Sequence, residues 1–392
     1  MRILQVFNRY RERGGEEKSA QRIFDHVSEV ADIEKLWWDS RDWDDVSMMG
    51  KLKQVKSLFY NEESALQLRL AIEERRPDAI MCHNLYPVGS PAVYREALMQ
   101  GIPIIQYIHN FRPFSVSGTL WTGSKIAEES LHGNYLREIK SGSWQGSIVK
   151  SALFALMLKR LHGSGWLDSV KLWVSISDFM RDKFIEAGIP KDRIVTLKHS
   201  WDALPAKPDT VDDGYYLFLG RLVPEKGIRV MLDAWRMLAE QMGNRTPKLI
   251  IAGSGSEEIL VQSEAEGNKY VEYVGYVDGG EKTQLIAHCR AMLAPSVWWE
   301  PLGLVTYEAY DYAKPMLAAA SGGLAETVQD GRTGFIFEPR DTESMCEAVQ
   351  NIESLTAENR ARMGEEGRKW LLYNTSPQVW KSRFNKCVEN LF

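Results

Sequence analysis

Short apolar runs alternate along the chain with stretches of helical spacing. An apolar run of about four to eight residues between turn residues reads as a buried strand. Apolar positions at i, i+3, i+4 and i+7 read as a helix packed on one face. On these rules Ile3–Phe7 is a strand, followed by a helix to about Val30. Residues 61–76 are helical, Pro77–Cys82 a strand, Val88–Gln100 a helix stopped by Gly101, and Ile102–Ile108 a strand. Lys171–Ile176, Ser177–Ala187 and Arg193–Lys198 read as strand, helix and strand. The second half repeats the pattern. Tyr215–Gly220 is a strand before a helix of about 15 residues. Strands follow at Lys248–Ala252, Tyr270–Val274, Arg290–Pro295, Pro315–Ala318 and Gly334–Phe337, then helices near 341–354, 356–372 and Pro377–Leu391. Strands alternating with helices predict an α/β protein with parallel sheets.

Between the halves, Ser200–Gly214 carries Pro205, Pro208, Asp202, Asp209, Asp212 and Asp213 and little apolar content. It reads as a linker. Two α/β domains are therefore expected, at 1–204 and 205–376, with the last helix (377–392) crossing back to the first. Residues 111–145, rich in glycine and interrupted by Trp121 and Trp144, read as a long irregular loop. Such loops are usually functional or mobile.

A length of 392 residues supports the two-domain reading, since single cores rarely exceed about 250–300 residues. The net charge of −5 argues against a dedicated nucleic-acid binder. The charge is uneven: residues 1–200 carry 28 Lys and Arg against 25 Asp and Glu, and the remainder 20 against 28. Two basic stretches, Met48–Tyr60 and Ser147–Leu161, read either as helices on an anionic membrane surface or as core-packing helices with outward lysines. Peripheral contact of the first domain with a membrane is thus one open reading. Cys82, Cys289, Cys346 and Cys387 are scattered, which indicates neither a zinc site nor a disulfide framework and fits a reducing cytoplasm. The N-terminal apolar run is too short for a signal peptide, and no run of about 18 apolar residues predicts a membrane span.

Candidate chemistry collects at strand ends, where parallel sheets bind ligands. Ser296–Glu308 reads as strand end, loop and helix start. Pro301 suits a first helical turn, and Gly303 admits a ligand close to the backbone. Free amides there attract phosphate, while Glu300 and Glu308 can accept hydrogen bonds from hydroxyls. Phosphate beside hydroxyls describes a nucleotide sugar; the alternative is an ordinary junction with two solvated glutamates. Arg221 and Lys226, after the first strand of the second sheet, suit a diphosphate leaving group. Gly14 and Gly15 follow the first strand and allow an anion to approach, or simply make a turn. Gly253-Ser254-Gly255-Ser256 is a fragment of a dinucleotide fingerprint without its third glycine. Tyr276 can flank a base or merely pack. His83 and His109 end successive strands, and His109, followed by Asn110 and Arg112, is the better site candidate.

Gly220-Arg221-Leu222-Val223-Pro224-Glu225-Lys226-Gly227 and the spacing of Glu300 and Glu308 resemble the retaining nucleotide-sugar glycosyltransferases of family 4. Pro77-Asp78, His83 to Pro87, Ser90-Pro91, Gly101-Ile102-Pro103 and His109 to Arg112 are similar to members that build bacterial surface polysaccharides. The resemblance covers nearly the whole chain. It implies the GT-B fold, two facing Rossmann-like domains with a cleft between them. It implies a UDP- or GDP-linked sugar donor, a glycan or lipid-linked acceptor, and neither a metal nor another cofactor. Arg221 and Lys226 would hold the diphosphate, Glu300 the sugar and Glu308 the ribose. The Pro301–Val305 segment, through the amides of Gly303, Leu304 and Val305 and beside Leu302, would meet phosphate or sugar. Gly14, Gly15 and Gly253 would lie against the donor, Tyr276 near the base, and His109 against sugar or acceptor. Two departures stand out: no cysteine lies between Cys82 and Cys289, and His199 stands where relatives commonly carry Asn. Rival readings are an epimerase or phosphorylase of the same architecture, a non-catalytic nucleotide-sugar-binding subunit, and an NAD-dependent dehydrogenase resting only on Gly253–Gly255.

Overall fold

The computed structural model describes residues 1–11, 15–43, 48–204, 206, 208 and 210–389. The chain divides into two compact units. Met1–Thr122, Ala127–Ser200 and Pro377–Phe392 form the first; Gly123–Ile126 and Trp201–Ser376 form the second.

The first unit holds a six-stranded sheet of β1 (Arg2–Arg9), β2 (Asp32–Asp39), β3 (Ala79–Cys82), β4 (Ile104–Ile108), β5 (Val170–Ser175) and β6 (Ile194–Thr196). Its order is β2-β1-β3-β4-β5-β6, and every pair is parallel. All residues of β3 and β4 are buried. Strands covered by helices on both faces read as continuous apolar runs, which is why they were legible. The edge strand β2 was not among the expected elements. Its sequence, DIEKLWWD, buries only Ile33 and Trp38, so charged residues interrupt the pattern. The helix expected from Val88 begins instead at Ala92, with Pro91 at its cap, because a residue before proline disfavours helical backbone. The 111–145 stretch contains short helical pieces at Glu128–His132 and Leu136–Lys140. The last helix, Pro377–Glu389, belongs to this unit: its buried Trp380 lies 5.7 Å from the His26 ring on the helix Gly15–Ser28.

The second unit holds β7 (Tyr215–Leu219), β8 (Lys248–Ala252), β9 (Val271–Gly275), β10 (Ala291–Ala294), β11 (Met316–Ala319) and β12 (Gly334–Phe337). They are parallel in the order β12-β11-β10-β7-β8-β9. The helix Ile228–Met242 turns Ile228, Met231, Leu232, Trp235 and Leu238 onto this sheet, at the spacing of one helical face. Helices Glu258–Gly267 and Gly279–His288, absent from the expected set, complete the layers.

In both sheets the chain reverses its direction of strand addition, between β1 and β3 and between β7 and β10. Loops beyond the carboxyl ends diverge there and leave a crevice. No helix among the described residues is long and apolar enough to cross a membrane.

Candidate functional site

In the second unit both loops at the reversal carry candidate residues. From β7 the chain runs through Arg221 into a single turn, Pro224–Lys226, and from β10 through Ser296 to Glu300. Gly227 lets the loops touch. A Cβ there would lie 1.8 Å from the Pro295 carbonyl oxygen, and φ is +75°. Only glycine tolerates that approach, and it sets Lys226 beside the second loop. The Val297 amide donates to the Glu225 carbonyl at 2.9 Å, pinning the pair.

Lys226 Nζ hydrogen-bonds and ion-pairs with Glu300 Oε1. Ser296 Oγ donates to the same oxygen at 2.7 Å. Burial pushes the Glu300 carboxyl up, but the Lys226 charge and these hydrogen bonds outweigh it, so the group sits below its usual value. A buried carboxylate thus stays ionised because a cation faces it. Lys226 also lies 5.7 Å from the Trp298 ring. Arg221 is not drawn into this pair. It is exposed and lies 3.8 Å from Glu225, so its side chain is available to an incoming anion.

The helix after the second loop is Leu304–Asp311. Pro301, expected in its first turn, lies outside it. Gly303, at φ +85°, occupies the cap, and a left-handed cap residue cannot continue a helix backward. No side chain caps this end, which leaves first-turn amides of Leu304 and Val305 to ligand or water. Leu302 is buried. Glu308 accepts from Lys282 Nζ at 2.8 Å, both partly exposed. Tyr276 is exposed just beyond β9. A Cβ on Gly253 would lie 1.8 Å from the Gly220 carbonyl oxygen. That glycine therefore serves loop-on-loop packing, which explains it without a dinucleotide.

In the first unit Gly15 opens the helix Gly15–Ser28 and is exposed; Gly14 lies outside the described residues. His109 follows β4 and is buried, with its Nε2 2.8 Å from His83 Nδ1. Burial lowers its imidazole to about 3, so the ring is neutral at physiological pH and works as a hydrogen-bonding group, not as an acid. It lines a small pocket, with room for little more than a water molecule, together with Glu16, Asn84, Tyr86, Asn110 and Arg112. Glu16 accepts from Tyr10 Oη at 2.7 Å and from Asn110 Nδ2 at 3.0 Å. Burial pushes its carboxyl up to about 7, although the Tyr10 hydrogen bond and the Arg112 charge oppose the shift.

Glu16, Lys282 and Ser296 were missing from the expected site. Glu16 had a signal in the sequence, its place directly after the glycine pair. Lys282 and Ser296 had none beyond residue type. His199 has a place as well: its ring stacks on His109 at 5.2 Å. Among the described residues no group of three or more His, Cys, Asp or Glu side chains could hold a metal ion.

Residues 202–370 match the family described as Glycosyl transferases group 1. The match falls within the second unit. Among characterised proteins the chain is 32% identical over 205 residues to O-antigen chain mannosyltransferase B of Escherichia coli, covering 48% of this chain and 52% of that one. It is 32% identical over 300 residues to glycogen synthase of Mycobacterium tuberculosis, covering 74% and 64%. The chain therefore spans between half and two-thirds of these relatives. Solved structures agree over the full chain at low identity. A lipopolysaccharide outer core galactosyltransferase superposes with TM-score 0.69 at 14% identity, with complete coverage of both chains. Sucrose-phosphate synthase of Thermosynechococcus elongatus gives 0.69 at 15%, covering 100% and 99%. Anabaena HepE, solved with UDP, gives 0.66 at 16%, again with complete coverage. The architecture of the chain is the GT-B fold.

Proposed function

We propose that this protein moves a sugar from a nucleoside-diphosphate donor to a hydroxyl of a glycan or lipid-linked acceptor, with retention of anomeric configuration. The observation that carries the reading is the Lys226–Glu300 pair at the strand reversal of the group 1 domain. It sets a cation for a leaving phosphate beside an ionised carboxylate for sugar hydroxyls. The kinds of relative support the setting: one is an O-antigen mannosyltransferase, another a GDP-mannose-dependent mannosyltransferase acting on a phosphatidylinositol monomannoside.

In this mechanism Lys226 and Arg221 neutralise the charge that grows on the diphosphate as the bond to the anomeric carbon breaks, and the amides of Leu304 and Val305 add dipoles. Two side-chain cations can take the place of a divalent metal. Glu300 accepts from the transferred sugar and Glu308 from the ribose. The acceptor oxygen bonds to the anomeric carbon on the face the diphosphate leaves, and its proton goes to a phosphate oxygen of the leaving group. No covalent enzyme intermediate is needed, and Glu300, already paired with Lys226, is a poor nucleophile.

Thermal-shift measurements with UDP, GDP and ADP test donor binding, since a specific ligand raises apparent stability by mass action. Stabilisation by one nucleotide, and its release from the matching sugar only when an acceptor is present, are expected. Release that ignores the acceptor would remove the transferase reading. NMR of the product anomer decides between retention and inversion.

A further inference from the structure

Three side chains of the first unit form a hydrogen-bonded chain whose polarity can be worked out. Gln5 on β1 is buried. Its Nε2 lies 3.0 Å from the Ala20 carbonyl, and its Oε1 lies 3.2 Å from Trp37 Nε1. A carbonyl only accepts and an indole N–H only donates, so both ends of the Gln5 amide are assigned. Its nitrogen also lies 2.9 Å from His83 Nε2. That contact is a hydrogen bond only if His83 Nε2 accepts, which puts the His83 proton on Nδ1. His83 Nδ1 then donates to His109 Nε2 across 2.8 Å. His109 Nε2 is thereby an acceptor, and the proton of this second neutral ring sits on Nδ1. A charged His83 would face the Gln5 N–H with its own N–H, so the geometry itself requires the neutral ring. Burial acts in the same direction, holding both rings well below the usual histidine range.

The chain ends on an open donor. His109 Nδ1 is buried and has no hydrogen-bond partner among the described residues, although His109 lines the pocket. The rings cannot swivel freely to change roles. Tyr107 stacks on His83 at 5.5 Å and on His109 at 5.1 Å, and His199 covers His109 at 5.2 Å.

We infer that Gln5 and His83 are positioning residues that lock the tautomer of His109, so that its Nδ1–H is offered to an oxygen of a ligand in the pocket that His109 lines. The tautomer of a histidine is set by the bond its other nitrogen makes, and here that setting is passed through two rings. The ligand contact rests on the proposed function; the relay does not.

Two measurements test the two parts separately. Long-range 15N–1H correlation of the full chain, labelled at histidine, is expected to show His83 and His109 neutral at pH 7 with protons on Nδ1. A proton on Nε2 of His109 overturns the relay whatever the protein does. For the second part, His83→Asn and His83→Asp have the same shape. Asn keeps an N–H for His109 Nε2; Asp, at a pH where its carboxyl is ionised and His109 neutral, offers only acceptors and turns the His109 proton to Nε2. The expected result is kcat within about threefold of the parent for His83→Asn, and at least about tenfold lower for His83→Asp. The His109 signals should change tautomer only in the latter. Equal kcat for the two folded proteins, with the tautomer switched, overturns the ligand contact and leaves the relay standing. If His83→Asp does not fold, Gln5→Leu replaces it, and mixed tautomers of His109 with a lower kcat are expected. A single Nδ1–H tautomer in Gln5→Leu overturns the role given to Gln5.

Discussion

Two carboxylates, one in each unit, follow the reversal point of a parallel sheet and reach opposite states. Glu300 is buried and ionised; Glu16 is partly buried and pushed up to about 7. Burial raises both. The difference is the partner. Glu300 faces the Lys226 ammonium directly. Glu16 meets a phenol and an amide, with the Arg112 charge acting from beyond them. Hydrogen bonds from neutral groups soften the cost of burying a charge, whereas a contacting cation reverses it. The second unit thus presents fixed, paired charge, suited to a phosphate and hydroxyls. The first presents groups kept at or near neutrality, suited to hydrogen bonding without charge.

Removing the partner that makes the difference should have the largest effect. In Lys226→Ala, turnover is expected to fall about 10²- to 10³-fold with the fold intact, since charge develops there in the transition state. Steady-state kinetics and circular dichroism check it, and unchanged turnover would remove Lys226 from the leaving-group site. Glu300→Gln keeps the shape but neutralises the pair. Here kcat should drop about 10- to 100-fold, with nucleotide affinity nearly unchanged, because the carboxylate meets sugar and not phosphate. A weaker effect is expected at the second ion pair of this unit. Lys282→Met should raise donor KM no more than about fivefold, as a partly exposed pair contributes about 1 kcal/mol or less. Donor titrations read this directly.

The smallest effect probes the other half of the comparison. The folded Glu16 carboxyl titrates near 7, above its ordinary 4.5. Its stabilising contribution is therefore complete below about 4.5 and lost as pH rises through about 7. The parent should lose thermal stability relative to Glu16→Gln across that window, by about 2–4 °C once partial exposure is allowed for. Parallel melting curves between pH 5 and 8 check the sign. A parent that gains on the variant would mean Glu16 is held ionised after all.

The strands were legible because helix-covered parallel strands are apolar on both faces, as in AIMC and AMLA. β2 escaped notice because an edge strand buries one face and its charges break the run. Arg221, Lys226, Glu300 and Glu308 were legible as residue types at strand ends and helix starts. That Lys226 pairs with Glu300 while Arg221 stands apart was not, since 74 residues separate the pair. Pro301 misled because its preference for a first turn is local, whereas the left-handed Gly303 sets where the helix begins. Gln5 carried no pattern and Glu16 only its place after a glycine pair; each acquires its role from neighbours brought in by the fold.

Local sequence, then, determined the two α/β units, the linker region and which loops bear the cations and carboxylates that the proposed mechanism uses. Backbone propensity and apolar period act over a few residues and can be read along the chain. Only the tertiary structure decided which carboxylate is charged, which lysine it holds and which nitrogen of His109 bears the proton. Those are set by burial and by contacts of about 3 Å between distant residues, and such distances do not exist until the sheets assemble.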